Sequence, residues 1–158
     1  MKRNKWGFTA AALWLLVMFG LLITAAHAQS AQVTVTGFVT DTLSGRRGAN
    51  PLHADASKRN VAAGMAGYAV YDEATKKLYV LQPQATGATY VSQRVSVTGT
   101  LAPSGMQHAG QHVNPQTNVT EDFHRVGQDS TTPIGGVLTI TSIAVAPPGP
   151  PAKASSGQ

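Results

Sequence analysis

Val33-Thr34-Val35-Thr36-Gly37-Phe38-Val39 alternates apolar and polar residues with a period of two, and Val95-Ser96-Val97-Thr98-Gly99-Thr100-Leu101 repeats the pattern almost residue for residue. That period places one set of side chains on a core and the other in water, so both stretches read as half-buried strands. A glycine interrupts each at the same place. Glycine inside a strand marks a bulge or a sharp bend, which a sheet needs in order to curl into a barrel. The two stretches therefore read as equivalent bent strands of one barrel. Between them, Tyr68-Ala69-Val70-Tyr71 and Leu78-Tyr79-Val80-Leu81 flank the polar run Asp72-Glu73-Ala74-Thr75-Lys76-Lys77, which predicts a hairpin. Val137 to Val145 (VLTITSIAV) supplies a last strand.

Helical signals are sparse. Asn50 is a suitable N-cap, Pro51 fits the first helical position and Gly64 can end the segment. This predicts one short helix after the first strand, with the structural task of plugging one end of the barrel. Residues 102–136 carry Gly, Pro, Gln, Asn, His and Thr with few large apolar side chains, which predicts a long, loose polar insertion before the last strand. Residues 147–158 (PPGPPAKASSGQ) form a Pro-rich tail with no means of building a core. The expected fold class is all-β: a small five-stranded antiparallel OB-like barrel over residues 29–146.

Residues 1–28 read as a secretory signal peptide. Lys2, Arg3 and Lys5 form a positive start, Phe8 to Ala25 is an apolar run, and Ala26-His27-Ala28 gives the small-x-small exit that signal peptidase accepts. Gln29 is then the expected mature N-terminus, and no later stretch is apolar and long enough to span a membrane. Of the 12 Lys and Arg residues, three leave with this segment, so 9 remain against 7 Asp and Glu, a formal charge of +2. The high isoelectric point is thus partly a targeting effect and is poor support for nucleic-acid binding. Trp6 and Trp14 leave too, and the chain has no Cys. Without disulfides, an exported domain of this size depends on one modest apolar core.

The ordered series VTGFVTDTLSG (35–45), GANPLHADASKRN (48–60), YAVYDEATKKLYVL (68–81), VSVTGTL (95–101) and VLTITSIAV (137–145) resembles a family of small exported bacterial OB-like proteins of unknown function. The resemblance covers roughly residues 32–101 and 135–146. It implies cysteines in a D-x-x-C-G loop and an H-A-x-C-x-x-x-C helix. Here those places hold Ser44, Ala56 and Asn60, while His53 is retained. A thiol-based metal or redox role implied by the family is therefore absent from this chain.

Chemical motifs are few. The chain has no G-x-S-x-G elbow, no H-E-x-x-H and no Gly-rich phosphate loop ahead of a helix, so neither an enzyme nor a bound cofactor is expected. His108, His112 and His124 in the insertion, with Glu121 beside them, form the candidate metal ligands, although the glycine-containing surroundings disfavour a helix that would aim His108 and His112, four apart, together. Arg46 and Arg47 in the first loop, with Tyr71 and Tyr79 on the hairpin, form the candidate ligand-binding set. The expected function is a non-enzymatic binding or interaction module of the bacterial cell envelope, periplasmic or secreted, with an envelope ligand or protein as partner and no nucleic acid. The alternative is a metal-binding envelope protein using the insertion histidines.

Overall fold

The computed structural model describes residues 32–114, 116–122, 129 and 131–149. The expected signal peptide, the end of the tail and His124 lie outside these residues. Five strands close a barrel: β1 Gln32–Asp41, β2 Tyr68–Asp72, β3 Leu78–Gln82, β4 Arg94–Ala102 and β7 Ile134–Val145, in the ring order β1-β2-β3-β7-β4. Two short strands, β5 Gln111–Val113 and β6 Thr120–Asp122, pair as a separate hairpin within the insertion. Among the described residues, no helix is long and apolar enough to cross a membrane.

The sheet is mixed, which corrects the all-antiparallel expectation. β3 and β7 run parallel, and every other pair in the ring is antiparallel. The reason is parity. A closed ring with an odd number of strands cannot alternate direction all the way round, so at least one neighbouring pair must be parallel. The hydrophobic alternation that marks the strands carries no information about direction.

The two glycine bends lie where barrel strands come closest. A Cβ on Gly37 would sit 1.7 Å from the carbonyl oxygen of Tyr71, and one on Gly99 would sit 2.1 Å from that of Thr139. At Gly99 the β4–β7 register also shifts, between Thr98 and Gly99. Only a residue without a side chain permits such an approach.

The helix expectation also needs correction. Asn50 does cap, its side chain accepting from the Leu52 amide at 3.0 Å, but the capped element is a 3-10 turn, Pro51–His53, which leads into α1, Ala54–Ala62. While α1 lies against β1, a second helix, α2 Gln84–Thr89, follows the third strand and packs on β2 and β3. Its Gly87 lies against the Tyr68 and Leu81 side chains. The run Gln-Ala-Thr-Gly-Ala-Thr has poor intrinsic helix propensity, so packing rather than sequence makes it helical.

Inside the barrel, Val35, Val39, Val70, Tyr79, Leu81, Val95, Val97 and Leu138 form the core. A second, smaller cluster lies on the outside of β2 and β3, where Ala69, Tyr71 and Leu78 are covered by Ala109 of the insertion. The insertion is thus anchored to the barrel through its described residues around Ala109, Asp129 and Thr132. The Gly110 amide donates to Thr42 O, the Ala109 amide to Thr132 O and the Asp129 amide to Leu43 O.

Candidate ligand-binding cleft

A row of outward-facing residues crosses the sheet: Arg94 on β4 is paired with Phe38 on β1, Phe38 with Tyr71 on β2, and Tyr71 with Leu78 on β3. Leu78 is fully buried beneath the insertion, Tyr71 is 7% exposed and Phe38 is half-buried, so the cover thins along the row. A cleft of about 520 Å³ opens where it ends, walled by Phe38, Tyr71, Arg46, Ala49, Glu73, Lys76 and the Thr131–Pro133 segment.

Three loops meet here, and buried carboxylates fix each of them. Asp41, fully buried at the end of β1, accepts from the amides of Leu43 (3.0 Å) and Ser44 (2.9 Å), from Ser57 Oγ (2.6 Å) and from Asn60 Nδ2 (3.2 Å). It thereby ties α1 to the start of the first loop. Asp72 shapes the β2–β3 turn by accepting from the Ala74 amide (2.9 Å) and the Thr75 hydroxyl (2.6 Å), and Lys76 takes a left-handed conformation (φ 61°) beside the cleft. Asp129 joins the insertion to the first loop. Only 3% exposed, it accepts from the Arg46 amide at 3.0 Å, from the Thr131 amide and hydroxyl at 2.9 and 2.8 Å, and from the Thr132 amide at 3.2 Å and hydroxyl.

The electrostatics follow from these bonds. Burial pushes the Asp129 carboxyl up, but donation from Thr132, Thr131 and the Arg46 amide more than offsets it and brings the group down to about 2. Burial raises the Tyr71 phenol; Arg46 acts in the opposite direction, and Asp129, Asp72 and Glu73 add to the rise. Tyr71 is thus a neutral hydroxyl beneath a cation. Glu73 is bonded to Arg94, at 2.9 Å from Nε and 2.7 Å from Nη2.

Among the residues singled out from sequence, Arg46 and Tyr71 share this cleft. Arg47 lies on the same 3-10 turn, Gly45–Gly48, exposed and outside the cleft lining; its carbonyl accepts from Asn50 Nδ2 at 2.8 Å. Tyr79 does not belong to the set. It is paired with Val70, one step out of phase with Tyr71, and so points into the barrel, where its ring packs over Gly135. A one-residue step reverses the face of a strand. His108 and His112 each approach a different carboxylate: His108 Nε2 lies 3.8 Å from Asp122 and His112 Nε2 3.4 Å from Glu121. No group of three metal-ligating side chains converges among the described residues. Ser44 lies between His53 and Asn60: its Oγ is 3.0 Å from His53 Nε2 and 3.2 Å from Asn60 Nδ2.

Asp129 is the member that sequence reasoning missed. Its signal is local: in Asp129-Ser130-Thr131-Thr132, an Asp followed by hydroxyl residues is the pattern of a side chain accepting from amides two and three positions on. Nothing in that pattern reveals the reach to Arg46. No family model matches the chain, and no curated protein or solved structure matches it at a significant level.

Proposed function

We propose that this protein is an exported, non-enzymatic binding module of the bacterial cell envelope, built on an OB-like barrel and using the Arg46–Tyr71 cleft as its contact surface. The observation that carries the reading is the Asp129 clamp: a nearly buried carboxylate holds the Arg46 backbone in place beside Tyr71, which pre-organises a cation next to an aromatic hydroxyl. The ring order, counted over barrel strands alone, is 1-2-3-5-4 with a helix after the third, which supports the OB-like assignment. In that fold, ligands approach beside strands 2 and 3, between the 1–2 and 4–5 loops. The cleft occupies that position, between the first loop and the end of the insertion. Fold alone does not license a function, so the site chemistry carries the argument. The apolar start of the chain and its A-x-A exit support export.

The test is a nuclear magnetic resonance titration of isotope-labelled protein, purified from the periplasm of an expression host, against fractionated envelope extract. Saturable shifts centred on Phe38, Arg46 and Tyr71 are expected. Shifts confined to the β5–β6 hairpin, or turnover of an extract component, would refute the proposal.

A further inference from the structure

The charges around the cleft select its ligand class, on the reading that the cleft is the contact surface. Each bordering carboxylate is already engaged: Glu73 by Arg94, Asp72 by the Ala74 amide and Thr75, and Asp129 by Arg46 N–H and two threonines. The Arg46 and Lys76 side chains line the cleft and take part in none of the ion pairs found among the described residues. Asp72 and Asp129 keep their charge but are buried, so the unpaired charges that the cleft presents at its surface are the exposed Arg46 and Lys76 side chains, and the occupant that completes these is an anion.

The shape selects further. On the other side of Phe38 lies a second recess of about 590 Å³, lined by Phe38, Pro51, Arg94, Val145 and Pro148. The two recesses share Phe38 and Glu73, so they form one groove running over a half-buried phenyl ring. Arg94, Phe38 and Tyr71 occupy three adjacent strands, which at ~4.8 Å per strand gives roughly 10 Å from Arg94 to Tyr71. A groove of that form suits a chain better than a compact metabolite. Hydroxyl and amide groups of Tyr71, Thr131, Thr132 and Gln93 along it are neutral hydrogen-bonding partners. Among the described residues, Phe38 is the one aromatic face the groove presents, because Tyr71 is nearly covered. Single-stranded nucleic acids require successive stacking platforms and a strongly basic track.

We infer that the groove binds a linear acidic saccharide, with a sugar ring against Phe38 and its carboxylate or phosphate on Arg46 and Lys76. The same labelled protein is titrated with trigalacturonate, a sugar phosphate, the neutral maltotriose and an oligothymidylate. Trigalacturonate or the sugar phosphate is expected to shift Phe38, Arg46 and Tyr71, and which of the two does so identifies the anion. Maltotriose is expected to bind at least ~10-fold more weakly. Arg46→Gln and Lys76→Gln, both at solvent-facing side chains, are expected to weaken the acidic ligand by about 10-fold each, whereas Lys58→Gln on α1 leaves it unchanged. Equal binding of the neutral sugar, preference for the oligonucleotide, or no cleft shifts with either acidic sugar would overturn the inference. If envelope extract still shifts the cleft while acidic sugars do not, the ligand class fails alone. If neither shifts it, the binding-module reading fails as well.

Discussion

Replacing Asp129 with asparagine keeps the shape of the clamp and removes its charge. With the carboxyl held at about 2 against an ordinary 3.8, and 1.36 kcal/mol per pH unit of displacement, the ionised group contributes on the order of 2–3 kcal/mol to folding at neutral pH. The sign follows from a folded value below the unfolded one. The contribution is complete above about pH 5, falls as the pH drops through the folded value, and is gone below about pH 1. In Asp129→Asn one of the two oxygens becomes an NH₂ group. On the Oδ2 side it would confront the Arg46 amide and the Thr132 hydroxyl; on the Oδ1 side it would confront the amides of Thr131 and Thr132. Hydroxyls rotate to accept, but amides cannot. The Arg46 amide retains a second acceptor, Thr132 Oγ1, at 3.2 Å, which limits the damage on that side. The expected loss is about 2–4 kcal/mol near pH 7, read from urea unfolding of wild type and variant. The gap should shrink by at least half near pH 2.5, because the carboxyl of the unfolded wild type is by then protonated and the advantage of holding it ionised in the fold is largely lost. A loss below ~1 kcal/mol near pH 7, or a gap independent of pH, would show that the clamp does not hold the loop as argued.

Gly37→Ala and Gly99→Ala each drive a methyl into a neighbouring backbone carbonyl, at 1.7 and 2.1 Å, so a loss of about 3 kcal/mol or failure to fold is expected. Gly64→Ala, at φ 71° with nothing within 4 Å, should cost only ~1 kcal/mol of backbone strain, and thermal unfolding of all three checks the contrast. Calorimetric titration with zinc should yield weak heats that change little in His108→Ala, because His108 and His112 approach separate carboxylates; a stoichiometric, histidine-dependent heat would revive a metal site. Mass spectrometry of exported protein should give an N-terminus at Gln29, and retention of Met1 would contradict the signal reading.

The strand content was legible because apolar alternation reports burial directly. The stretches 33–39, 95–101 and 137–145 all lie within barrel strands, and both interrupting glycines lie where close approach requires them. Arg46 and Tyr71 were legible as chemistry, a loop cation and a strand aromatic, but not as neighbours. Tyr79 was grouped with Tyr71 because the two look alike in a hairpin whose register is unknown. That register pairs Tyr71 with Leu78 and turns Tyr79 inward.

The sequence by itself determined which segments are strands, where they bend and which side chains alternate toward a core, because these depend on near neighbours and on transfer from water. Tertiary structure alone decided that β3 and β7 run parallel, that a weak helix former after the third strand packs on the barrel, and that Asp129 reaches Arg46. Those features depend on ring closure and on contacts between residues far apart in the chain, and no local pattern encodes either.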